Sequence, residues 1–131
     1  MSMNARAIAG VTSGLLLVAG SAAHAFAGWP PLRGALIGAG VDPTLVGALA
    51  VGWVFGSVSM LAFGGIVLRA GIWMARGREV DRAPVLVIGS IYVLFGAGAF
   101  LFRDLNPHFL LFILNGALVA WAGSGRARGA P

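Results

Sequence analysis

Charged residues are scarce in this chain, and they fall so as to leave four long uncharged runs. There are 26 residues between Arg6 and Arg33, 26 between Asp42 and Arg69, 20 between Arg82 and Arg103, and 21 between Asp104 and Arg126. A helix covers the ~30 Å hydrocarbon layer of a bilayer with roughly 20 apolar residues, and it satisfies every backbone group internally. Four such runs make up most of the 131 residues. The expected fold is therefore all-α, an integral membrane four-helix up-and-down bundle. It forms one domain over residues 1–131, with spans at about 7–28, 43–69, 84–102 and 107–123. The mean hydropathy of +0.92 leaves no material for a separate soluble domain.

Punctuation between the runs is consistent with this division. Asp42-Pro43 and Asn106-Pro107 each place a capping side chain before a proline, which suits the first helical turn because its N–H would be unpaired there anyway. The second helix is expected to run on through Gly71-Ile72-Trp73-Met74 and to break at Gly77. The Arg103 to Asn106 link is so short that spans three and four must be antiparallel neighbours. The segment from Gly28 to Val41 is apolar for a loop, and a short interfacial helix is expected there. Ala25-Phe26-Ala27 has the small-x-small form that a signal peptidase reads, so a cleaved leader is a rival reading of the first run. That run is about twice the usual length of a leader core, and it is read as span one.

Orientation follows from the basic residues. With the N-terminus inside, Arg6, Arg69, Arg76, Arg78, Arg82, Arg126 and Arg128 face the cytoplasm, and only Arg33 and Arg103 lie outside. That asymmetry predicts both ends in the cytoplasm of a cell's inner membrane. The net charge of +5 is accounted for by arginines that flank apolar runs. It points to the lipid bilayer, with anionic phospholipid headgroups on the cytoplasmic side, and no nucleic acid is expected. Cysteine is absent, which removes disulfides, thiolate metal sites and cysteine nucleophiles. None of Asp42, Glu79, Asp81 or Asp104 lies within a span, which argues against coupling through an intramembrane carboxylate. No serine, histidine and acid fall at one depth, so hydrolase chemistry has no support.

Helical wheels at 100° per residue sort the side chains within each span. Span one gathers Gly10, Ser13, Gly14, Leu17, Gly20, Ser21 and His24 on one face, opposite Leu15, Leu16 and Phe26. Span two aligns Ala48, Gly52, Gly56, Ser59 and Phe63, a small-xxx-small stripe that lets a neighbouring backbone approach closely. Span three aligns Gly89, Tyr92, Gly96, Ala99 and Arg103, and span four aligns His108, Leu111, Asn115 and Ala122. The helix-packing residues are expected to be Gly10, Gly14, Gly52, Gly56, Gly89 and Gly96. Ser13, Ser21, Ser59, Tyr92 and Asn115 are expected as interior polar groups. Either these polar groups bond one another and lock the bundle, or they line a ligand site.

Two histidines stand apart. His24 lies roughly 27 Å along a helix from Arg6, near the outer edge of the hydrocarbon layer, and His108 opens span four at the same edge. Imidazole there can bind haem iron, relay a proton, contact a quinone headgroup, or simply bond to headgroups and water. The expected role is a small membrane protein that acts through helix packing, as a homo-oligomer or an accessory subunit of a larger membrane complex. Two further roles stay open: a haem- or quinone-binding redox protein using His24 and His108, and a dimeric transporter of a neutral or lipophilic solute. Enzymatic activity is not the expected role.

Overall fold

The computed structural model describes residues 4–124, which form four helices, with no strand among the described residues. Helix α1 spans Ala5–Gly38, α2 Pro43–Ala75, α3 Ala83–Phe102 and α4 Pro107–Gly123. The first three are long and apolar enough to cross a membrane, and the fourth is apolar but shorter. Arg126 and Arg128, counted above for orientation, lie outside the described residues.

Helix α1 starts on the Asn4 side chain, which accepts the Arg6 N–H at 3.1 Å. It does not stop near Gly28. One π-helical turn at Ala23–Gly28 carries it into a further α-helical stretch, Trp29–Gly38. The expected separate interfacial helix is therefore a continuation of span one. Pro30 and Pro31 lie in the first turn of this stretch, just after the wide turn. Helix α2 is capped by Asp42, which accepts from Thr44 N–H at 2.8 Å and Leu45 N–H at 3.4 Å. It ends past Ala75, where Gly77 takes φ +69°. The α3–α4 turn is tight enough that Asp104 and Leu105 both adopt positive φ, 53° and 60°.

The helices pair as two antiparallel hairpins, α1 with α2 and α3 with α4, joined chiefly where α1 meets α4. In α1 the inward positions are Ala7, Gly10, Gly14, Leu17, Ser21, His24 and Gly28; in α2 they are Val46, Ala50, Trp53, Ser57, Met60, Gly64, Val67 and Gly71. Both series alternate steps of three and four, the seam of a left-handed coiled coil. Glycine sets the spacing along that seam. A Cβ built on Gly14 would lie 2.5 Å from the Leu68 nitrogen, and one on Gly71 2.5 Å from the Val11 nitrogen. In the other hairpin Gly89 lies directly against Ala120, and Gly96 would meet Ile113 at 2.8 Å.

The expected stripe on α2 is one residue out of phase with this seam. Gly52 has open space where a Cβ would be, and Gly56 would meet only the His24 ring, at 3.5 Å. Neither glycine brings two backbones together within the chain. Small residues lie on every side of α2, so composition alone does not select which of them faces α1.

The two hairpins close against each other at the end carrying the N-terminus and the Arg76–Arg82 connection. There Val67, Ala70, Val85, Ile88, Val119 and Ala122 form the core. Toward the end carrying the Gly38–Pro43 and Phe102–Pro107 turns, α2 and α3 barely touch and the hairpins part.

Candidate functional site

Between the parted hairpins lies an open cleft of about 520 Å³. All four helices line it: α1 through Leu17 and His24, α2 through Trp53 and Met60, α3 through Tyr92, and α4 through His108, Phe112 and Asn115. A second cavity of about 240 Å³ opens between α2 and α3 and shares His24, Met60, Tyr92 and Phe112 with the first. His24 and His108, far apart in sequence, thus border one space at one end of the bundle.

His24 is the most firmly held of the polar groups. Its ring stacks on the Trp53 indole, with centroids 4.1 Å apart and planes 9° from parallel. Its Nδ1 is 2.9 Å from the Ser57 hydroxyl, which in turn donates to the Trp53 carbonyl at 3.2 Å. The Trp53 indole N–H donates to the His24 carbonyl at 2.7 Å, inside the π-helical turn. Ser21 closes the network by donating to the Ser57 carbonyl at 2.8 Å. Gly28 makes room for the indole, since a Cβ there would sit 2.9 Å from the Trp53 ring. A π turn, a serine and a tryptophan therefore fix one imidazole, with Nε2 making no bond in the chain among the described residues.

The facing wall is aromatic. Tyr92 and Phe112 stack at 6.2 Å, Phe63 meets Tyr92 edge-on at 6.4 Å, and His108 lies 5.9 Å from Phe112. Tyr92 is buried, whereas His108 is exposed in the first turn of α4, where its backbone N–H donates to the Asn106 side chain at 2.9 Å. Asn115 faces the cleft with its carbonyl oxygen buried and unpaired.

The other expected interior groups separate into distinct roles. Ser59 borders the smaller cavity, and Ser13 is fully buried with an unpaired hydroxyl. No side-chain hydrogen bond links Ser59, Tyr92 and Asn115 among the described residues, so a lock made by these three is not what this arrangement contains. Ser57 and Trp53 are the residues that sequence reasoning missed. No local signal marks them out: they lie four apart on the seam that also carries Gly64 and Gly71, and only the fit to α1 distinguishes that seam. Among the described residues no cluster of three or more metal-ligating side chains occurs.

No family model matches the chain, and neither a curated protein nor a solved structure matches it.

Proposed function

We propose that this chain crosses a membrane four times and binds a lipid-soluble small molecule in the cleft between its two helix hairpins. The observation that carries this is the cleft itself. His24, Tyr92 and Asn115 come from three helices and border one space of about 520 Å³, yet they do not bond one another. Polar groups in an apolar setting are costly unless paired, so a site that leaves several free is suited to a partner that supplies the pairing. The volume is in the range of small-molecule sites, and the lining is mostly apolar and aromatic with a few polar points. A quinone-type redox role and the handling of a lipophilic solute both use this site; haem would need His24 or His108 as axial ligand.

In this reading both termini are cytoplasmic and the cleft opens toward the outer half of the bilayer. The arginine asymmetry supports that orientation. Arg69 lies over the Trp73 ring at 4.1 Å, and Arg6 lies 5.9 Å from the Trp121 ring. These pairs place guanidinium groups beside indoles at one end, as at an interface with anionic headgroups in an inner membrane. The chain's lack of cysteine makes the topology directly testable. Single cysteines at Gly40 and Asp104 should react with an impermeant maleimide added to intact cells, while one at Arg78 should react only after lysis. The reverse pattern overturns the orientation.

The binding role is tested by gentle extraction of the full chain from its own membrane followed by native mass spectrometry. One bound organic molecule per chain is expected, lost in His24→Ala and in the space-filling Gly20→Phe. A chain that carries nothing, and is unchanged in folding and assembly by Gly20→Phe, overturns it. A Soret band would assign the ligand as haem.

A second reading, a homo-oligomer or an accessory subunit, draws on one separate observation. Gly47, Gly52, Gly65 and Gly98 have open space where a side chain would be, so these surfaces could accept a helix of another chain.

A further inference from the structure

We infer that the molecule held in the cleft is an uncharged ring compound bearing hydroxyl groups, a lipid-soluble hydroquinone or phenol rather than the corresponding quinone. The inference rests on the cleft being a ligand site and specifies which chemistry that site accepts.

The Ser57 hydroxyl has one proton and two neighbours, the Trp53 carbonyl at 3.2 Å and His24 Nδ1 at 2.9 Å. A carbonyl can only accept. Both contacts are hydrogen bonds only if Ser57 donates to Trp53 and His24 donates from Nδ1 to Ser57. The alternative tautomer satisfies one contact and leaves the other without a proton. In the favoured tautomer Nε2 carries a lone pair, has no partner in the chain and is not sealed off by protein. Stacking on Trp53 and the Trp53 bond to the His24 carbonyl keep the ring from rotating to exchange its two nitrogens.

The His24 Nε2 acceptor shares the cleft with groups that can donate: the Tyr92 hydroxyl, the exposed His108 imidazole and the Asn115 amide. A ligand that only accepts would leave His24 Nε2 unpaired, whereas a hydroxyl can donate to it and accept from the others. No arginine, aspartate or glutamate lines the cleft, so a charged ligand would be desolvated without compensation. The His24–Trp53 pair and the Tyr92–Phe112 pair supply flat apolar walls suited to a ring. The smaller cavity between α2 and α3 shares His24, Met60, Tyr92 and Phe112 with the first.

The test uses the full chain in phospholipid nanodiscs under anaerobic conditions. Three probes share one body: a decyl-substituted 1,4-hydroquinone, its quinone and its bis-methyl ether. The hydroquinone should bind at least about tenfold more tightly than either of the others, the worth of roughly one well-made hydrogen bond. Ser57→Ala should shrink that ratio by releasing the tautomer while leaving quinone binding in place. Nitrogen-15 spectra of the unliganded protein should show His24 protonated on Nδ1. Quinone binding equal to or tighter than hydroquinone binding, a ratio unchanged by Ser57→Ala, or His24 protonated on Nε2 overturns the inference while leaving the cleft a ligand site. Binding of none of the three probes overturns the inference and the ligand-site reading together.

Discussion

Gly14→Ala and Gly52→Ala are the same chemical change on two helices, and the structure assigns them opposite consequences. At Gly14 the added methyl would lie 2.5 Å from the Leu68 nitrogen, 2.6 Å from its Cα and 2.7 Å from its Cβ. Carbon atoms settle at about 3.5–4.0 Å, so α1 and α2 would have to separate by roughly 1 Å at that crossing. The obstructing atoms belong to the backbone and its first carbon, and no rotamer change moves them aside. A gap of that size forfeits between a quarter and a half of the dispersion attraction for each pair of atoms it parts. Overpacking of this kind costs about 1–3 kcal/mol. At Gly52 nothing lies within 4 Å, and replacing glycine by alanine inside a helix contributes up to about 1 kcal/mol of stability. The propensity gain is common to both variants, so they should differ by the overpacking cost, about 1–3 kcal/mol. The assay is reversible unfolding in mixed micelles by titrated dodecyl sulfate, followed by circular dichroism at low protein-to-detergent ratio. Equal midpoints for the two variants would refute the seam. A Gly52→Ala midpoint below that of Gly14→Ala would instead place the Gly52 stripe in a contact between chains. Gly56→Leu, which the wheel marks as disrupting helix packing, should instead crowd His24 and the smaller cavity, altering ligand binding more than hairpin stability.

Three further outcomes are expected in the same assay. Leu105→Gly should stabilise the protein by about 1 kcal/mol, because Leu105 holds φ 60° in the α3–α4 turn and glycine adopts that region without the Cβ penalty; destabilisation would mean that the Leu105 side chain is needed for packing. Ser13→Ala should be neutral or stabilising by about 1 kcal/mol, since the Ser13 hydroxyl is fully buried and unpaired; a clear loss of stability would reveal a partner for it. Asp42→Ala should lower the midpoint at neutral pH, and the difference from wild type should shrink on acidification. The Thr44 and Leu45 N–H groups hold the Asp42 carboxyl below its ordinary value. A lowered carboxyl contributes stability above the usual carboxylate range and loses it as pH falls through the folded-state value. A difference that stays constant down to strongly acid pH would contradict the capping role.

Charge placement alone was enough to mark out four apolar helices, and capping chemistry marked most of their ends. Asp42-Pro43 begins α2, Asn106-Pro107 begins α4 and Gly77 follows the end of α2, each for a local reason that needs no knowledge of neighbours. The inward face of α1 was also readable, because Ser13, Ser21 and His24 contrast with Leu15, Leu16 and Phe26 on the other side. Helix α2 has no such contrast. Glycine, alanine and aliphatic side chains lie on every side of it, with serine and aromatic side chains scattered among them, and a partner helix and a lipid tail are equally apolar to it. Hydropathy therefore carries no phase information there. Only the fit of two backbones selects Gly64 and Gly71 over Gly52 and Gly56, and that fit belongs to the pair of helices rather than to either one. The same holds for the site. His24 was conspicuous by its chemistry, but its anchoring by Ser57 and Trp53 depends on the α1–α2 register and on a π-helical turn that no local signal announces. The cleft exists because the two hairpins pack closely at one end and part at the other, a property of four helices together that no single stretch of residues encodes.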